Sequence, residues 1–159
     1  MMASRLLDLY RRISPWPAGH WLFSRLVCLK APYFASIAPT ITCLQLARCE
    51  ARMAHRRRVT NHLGTVHAIA LCNLAELVAG VMVDASLPPG MRWIPKGMQV
   101  RYLKKAVGTL QAVATPQSQL RQADAGYDLP VQVVVRDPTG EAVFTATIDI
   151  WMSPRPAKP

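Results

Sequence analysis

Val66-His67-Ala68-Ile69-Ala70-Leu71-Cys72-Asn73-Leu74-Ala75-Glu76-Leu77-Val78-Ala79-Gly80-Val81-Met82-Val83 is the longest apolar run in the chain. Only His67, Asn73 and Glu76 interrupt it, and Asp84-Ala85-Ser86-Leu87-Pro88-Pro89-Gly90 ends it. A helix that is apolar on every side belongs in a protein core or in a membrane. A membrane span needs about 20 residues almost free of charge. This run has 18 and carries Glu76 well inside it, so it reads as a core helix, with Thr65 as its predicted N-cap.

Downstream of the Pro-Pro-Gly turn the apolar period becomes two, the spacing of strands. Strands are predicted over 97–105, 108–115, 129–136 and 142–151. The last two flank Asp137-Pro138-Thr139-Gly140 and so form a hairpin. Upstream, Ala47, Cys49, Ala51 and Met53 alternate with Arg48, Glu50 and Arg52, which predicts one half-exposed strand over 44–56. Residues 4–13 and 19–30 read as short helices separated by Ser14-Pro15-Trp16-Pro17. One buried helix against an antiparallel sheet is an α+β layer architecture. The predicted division is an N-terminal helical extension (1–39), a helix-and-sheet domain (40–152) and a flexible tail (153–159). The helix is apolar on more sides than one sheet can cover, so a second copy of the chain is expected against it.

Composition sets the outer limits. The 159 residues are 51% apolar and 18% charged, against about 25% charged in an average domain, so a largely disordered chain is excluded. The net charge is +10 and is unevenly spread. Residues 1–60 hold ten basic and two acidic side chains, 61–90 hold no Lys or Arg, and 91–105 hold five basic residues and no acid. Such a balance attracts polyanions or phosphorylated small molecules. Cys28, Cys43, Cys49 and Cys72 form no C-x-x-C pair and no zinc spacing, so they are expected as buried reduced thiols, with no metal site. Arg5, Asp8, Arg11 and Arg12 break any secretory h-region, and a cytoplasmic location is the expectation.

The chemistry concentrates in Asn61-His62-Leu63-Gly64-Thr65-Val66-His67-Ala68-Ile69-Ala70 and in Glu76. Glu76 is the lone ionisable side chain between His67 and Asp84, and an isolated carboxylate on a greasy helix is a functional candidate. The helix start presents unpaired backbone N–H groups and the positive end of the dipole, which can stabilise an oxyanion. Gly64, Ala68 and Ala70 are small enough for a substrate to approach that backbone. His62 is a loop residue by default.

Asn61, Gly64, His67 and Glu76 stand at the spacing Asn-x2-Gly-x2-His followed by an acid nine positions on. This resembles the signature of hotdog-fold acyl-CoA thioesterases of the phenylacetic-acid-degradation type, and the likeness covers roughly residues 40–152. Ala31-Pro32-Tyr33-Phe34 and Trp93-Ile94-Pro95-Lys96-Gly97 are similar to a branch known mainly as a domain of unknown function. The resemblance implies a hotdog fold, a site at a dimer interface and no cofactor beyond the coenzyme A of the substrate. One departure stands out: the usual Gly-Gly after the His is Ala68-Ile69 here, which narrows the site or alters acyl preference.

His67 and Glu76 lie nine residues apart on one helix, roughly 13 Å along its axis. A donor at Ala68 and the Glu76 carboxylate therefore reach one carbonyl only from different chains, in a two-fold dimer or a dimer of such dimers. The expected roles are Ala68 N–H as oxyanion donor, Glu76 as general base or nucleophile, Asn61 as orienting group, and His67 at the loop or the sulfur side. Gly64, Thr65 and Ile69 are expected at the substrate. Arg58, Lys96, Arg101, Lys104 and Lys105 are expected at the phosphates, with Arg101, Leu103 and Lys105 on one strand face. Three rivals exist. A dehydratase or hydratase would need motifs that this chain lacks. A non-catalytic acyl-CoA-binding module fits the Ala68-Ile69 departure. A nucleic-acid binder is disfavoured because the 7% aromatic residues do not interleave with the basic runs. Association of residues 1–30 with a membrane surface is compatible with either acyl-CoA reading.

Overall fold

The computed structural model describes residues 4–156. Two short helices come first, α1 (Arg5–Ile13) and α2 (Gly19–Lys30), then a 3₁₀ turn (Pro32–Ile37). Strands β1 (Thr40–Gln45) and β2 (Arg48–Met53) follow, then a second 3₁₀ turn (Arg57–Val59) and the long helix α3 (Ala68–Ser86). The chain ends with β3 (Met91–Tyr102), β4 (Leu110–Pro116), β5 (Tyr127–Arg136) and β6 (Ala142–Pro154). All six strands form one antiparallel sheet in the order β1-β2-β4-β5-β6-β3. The predicted α+β architecture is the observed one. The tail expected from 153 starts within β6, and residues 157–159 lie outside the described residues.

Helix α3 lies against the sheet with Leu74, Ala75, Leu77, Val78 and Met82 essentially inaccessible. By length and composition it could cross a membrane, but most of it is buried, against the sheet and the N-terminal segment. Alternation on the strands supplies the other half of the core: Leu129, Val131, Val133 and Val135 from β5, and Phe144, Ala146, Ile148 and Ile150 from β6, are all buried.

The N-terminal helices join the same core through Leu7, Tyr10 and Phe23. Ser4 caps α1 by accepting the Leu7 N–H at 3.2 Å. The tight α1–α2 connection requires Gly19, where a Cβ would stand 2.0 Å from the Ile13 carbonyl oxygen. The hydroxyl of Ser24, fully buried, donates to His20 O at 2.6 Å and accepts from Ile41 N at 2.7 Å, tying α2 to the outer edge of β1. Tyr10 adds a hydrogen bond to Thr42 O at 3.1 Å and an edge contact on Phe23.

Four expectations need correction. The strand expected over 44–56 is a hairpin, β1 and β2, because the chain turns at Leu46-Ala47 with Ala47 in the left-handed region (φ 60°). The N-cap of α3 is His67, not Thr65. The strand expected over 97–105 begins at Met91 and ends at Tyr102, so Leu103 and Lys105 lie beyond it and share no strand face with Arg101. Of the four free cysteines only Cys28 and Cys49 are buried, while Cys43 and Cys72 are half-buried. Burial pushes the Cys49 thiol pKa well up, so it is an unreactive core group.

Candidate active site at the start of the central helix

The loop into α3 is built by Asn61. Its Oδ1 accepts from Leu63 N (2.9 Å) and Thr65 N (3.2 Å), and its Nδ2 donates to the Thr65 hydroxyl (2.9 Å). Its backbone N–H reaches Thr65 O, closing a five-residue loop. Gly64 sits at φ 74°, and a Cβ there would meet nothing within 4 Å, so backbone conformation alone demands glycine. His55, which carries no motif in the sequence, anchors this loop from outside. Its Nδ1 accepts the Gly108 N–H at 3.0 Å, so the proton is on Nε2, which donates to Gly64 O at 3.0 Å. Asn61, expected to orient substrate or water, has its side chain committed to the loop.

His67 caps the helix: Nδ1 accepts the Ile69 N–H at 3.1 Å and its carbonyl accepts the Leu71 N–H at 3.2 Å. The N–H groups of Ala68 and Ala70 have no acceptor among the described residues. Beside them opens a cavity of about 360 Å³ lined by Tyr33, Arg58, His67, Ile69, Ala70 and Asn73, among others. Asn73 is only 6% exposed. Its Nδ2 donates to Ser36 Oγ at 3.1 Å, while its Oδ1 is buried with no partner among the described residues. A buried amide oxygen without a donor is costly, and here it belongs to a side chain that lines the cavity. In the sequence Asn73 shows only as an interruption of an apolar run.

Ile69, Asn73, Glu76, Gly80 and Asp84 recur at helical spacing and form one stripe along α3. Glu76 is exposed in the single chain and has no hydrogen-bond or ion-pair partner among the described residues. Its isolation therefore comes from facing outward. The stripe passes from the first cavity into a second, apolar one, which Glu76 also lines. Strand β3 is a free edge of the sheet, with Ile94 60% exposed.

The basic residues divide into two groups. Lys96 pairs with Asp128 at 2.5 Å and lies over the Trp151 ring, and Lys104 pairs with Glu141. Arg58 lines the first cavity, and Arg58, Arg101 and Lys105 have no carboxylate partner among the described residues. Arg56, just before the loop, has Nε and Nη2 buried without acceptors among the described residues. The described residues contain no cluster of His, Cys, Asp or Glu able to hold a metal ion.

A long helix laid on a six-stranded antiparallel sheet, entered by this loop, defines a hotdog-fold protein. The chain belongs to the family described as Domain of unknown function (DUF4442), which matches residues 19–152. A solved structural-genomics target, APC5556, is 44% identical, with a TM-score of 0.79 over 95% of this chain and 97% of its own. Thioesterase HI1161 of Haemophilus influenzae shares the fold at 17% identity, with a TM-score of 0.67 over 77% of this chain and 82% of that one. The phenylacetic acid degradation-related protein of Ralstonia eutropha JMP134, itself named a candidate thioesterase, superposes with a TM-score of 0.64 at 19% identity, over 76% of this chain and 89% of that one. No curated protein matches this chain in sequence.

Proposed function

We propose that the protein hydrolyses acyl-CoA thioesters at two sites across a two-fold dimer. The observation that carries this reading is the α3 stripe. An unengaged Ala68 N–H opens it, and an unpartnered Glu76 carboxylate follows about 12 Å further along the same helix. That separation is too great for one carbonyl, but an antiparallel partner helix brings the donor of one chain opposite the acid of the other. The free β3 edge is the surface on which two such chains would join.

In this scheme the thioester carbonyl oxygen meets the Ala68 N–H and the positive end of α3. Glu76 of the opposite chain takes a proton from water, whose oxygen attacks the carbonyl carbon. The tetrahedral oxyanion collapses, the C–S bond breaks, and the departing thiolate receives the proton that Glu76 holds. His67 and Asn61 act as positioning residues, one by capping the helix, the other by shaping the loop. Arg58 is the first choice for the coenzyme A phosphates, since it alone of the free basic residues named lies at the first cavity.

The test is subunit mixing. Ala68 is the first residue of α3, where proline is tolerated, and His67 has the extended backbone that precedes a proline readily (ψ 139°). Ala68→Pro thus deletes the proposed donor, and Glu76→Gln deletes the base. Each variant alone is expected to be inactive on a panel of acyl-CoA thioesters. Refolded together, they form heterodimers with one intact site, and activity returns to about a quarter of wild type. Failure to regain activity would exclude the shared site. Tight binding of thioesters with no turnover in the wild type would favour the non-catalytic module.

A second observation favours a membrane contact alongside catalysis. Trp16, Trp21, Leu29 and Tyr33 are 64%, 55%, 80% and 69% exposed, on an N-terminal segment that also carries Arg11, Arg12, Arg25 and Lys30. Aromatic and basic side chains together suit an anionic lipid surface. Co-sedimentation with phosphatidylserine vesicles, lost in a Trp16→Ala, Trp21→Ala double variant, is the expected result.

A further inference from the structure

The second cavity has a different chemistry from the first. It encloses about 380 Å³, within the ~300–1,000 Å³ of small-molecule sites. Leu77 and Val81 of α3 form one wall, Leu6 and Leu9 of α1 and Leu26 and Val27 of α2 the other. Trp93 of β3 closes one side. Its indole Nε1 donates to Asp84 Oδ1 at 2.7 Å, which fixes the ring over Gly80. A Cβ at Gly80 would come within 3.1 Å of that ring, so glycine sets how close Trp93 lies to α3. Two carboxylates line the cavity. Asp84 is occupied by Trp93, whereas Glu76 has no ion-pair partner among the described residues.

We propose that this cavity is an aliphatic acyl-chain site, and that the α1–α2 hairpin is part of the substrate-binding apparatus. The inference rests on the thioesterase reading for the position of the reacting carbonyl, beside Glu76. From Glu76 to Asp84 the helix runs roughly 12 Å, the length of a medium-chain acyl group. Such a chain has no polar atom beyond its carbonyl and asks only for branched aliphatic walls, which α1, α2 and α3 provide. The geometry also divides the substrate between chains. The subunit that supplies Glu76 holds the acyl arm, and the coenzyme A end runs toward Ala68 and Arg58 of its partner copy. The N-terminal helices would therefore act as the ruler for chain length.

The experiment measures binding without chemistry. Non-hydrolysable S-alkyl-CoA thioethers from ethyl to dodecyl are titrated by calorimetry into the full-length protein. Affinity is expected to rise about fourfold per added methylene, then level off when the cavity is full. Leu26→Trp and Leu9→Trp both change rim positions that are 38% and 39% exposed, so either variant is expected to fold. Both should move the plateau to shorter chains. Leu29→Trp, on α2 but outside the cavity and 80% exposed, should leave it in place. An affinity independent of chain length, or a plateau unmoved by both rim variants, overturns the proposal. Rising affinity with no hydrolysis of the matching thioesters retains the acyl site and removes the thioesterase reading. Hydrolysis with flat affinity does the reverse.

Discussion

His67 Nδ1 lies 3.1 Å from the Ile69 N–H and takes it out of the helix's set of open donors. The imidazole thus fixes which backbone groups remain at the mouth of α3, namely those of Ala68 and Ala70. A histidine expected at the loop or the sulfur side performs a capping task usually given to Ser, Thr, Asp or Asn.

Replacing His67 by Ala should therefore cost about 1 kcal/mol of stability, the usual magnitude for a lost N-cap. His67→Asn should restore most of it, because asparagine is a good cap. Denaturant midpoints read the first effect. Turnover by His67→Asn close to wild type would support the positioning role, and a collapse with stability intact would place the imidazole on the substrate.

Asn73 carries the opposite balance. Its Oδ1 is buried without a donor, so Asn73→Leu loses one hydrogen bond to Ser36 but also removes an unsatisfied oxygen. Stability should be unchanged or slightly higher. Affinity for coenzyme A thioethers should fall about three- to tenfold, the worth of one hydrogen bond. A large loss of stability would show that the amide serves the fold.

His55 joins two backbone segments far apart in sequence, through Gly64 O and Gly108 N. His55→Ala should destabilise the protein by about 1–2 kcal/mol. It should also speed amide exchange at Gly108 more than in the surrounding sheet. Unchanged exchange there would mean the bridge is dispensable.

The turn at 137–140 gives a prediction with a pH sign. The Thr139 hydroxyl, followed by the backbone N–H groups of Glu141 and Thr139, holds the Asp137 carboxyl below its ordinary value. A carboxylate depressed in the folded state stabilises it above the unfolded value of about 3.9, and this is lost as pH falls through the folded value. Asp137→Ala should lower Tm at pH 7. The difference from wild type should shrink as pH is taken below 3.9. A constant difference across that range would exclude the ionic contribution.

What can be read from sequence follows from the strength of each local pattern. Residues 129–136 and 142–151 alternate cleanly around a strong turn, and both strands are found there. The Leu46-Ala47 turn is hidden because neither residue is a turn former, and its one trace is a change of phase, from apolar Leu44 and Leu46 at even positions to Ala47, Cys49 and Ala51 at odd ones. The early part of β3 is hidden because Pro95 and Gly97 interrupt the pattern where the register with β6 shifts. At the site, the loop, the helix start and Glu76 are visible through spacing. Asn73 and His55 are not, since their importance lies in an unpaired oxygen and a contact across 53 residues.

The Ser24–Ile41 hydrogen bond offers a reporter for motion. Ile41 N–H is held by a side chain of α2 on the outer edge of β1, not by a neighbouring strand. Its exchange with solvent deuterium therefore times the departure of the helical hairpin, while amides of β4 and β5 time the opening of the sheet. If the hairpin lifts to admit a fatty chain, Ile41 is the amide that would record each opening.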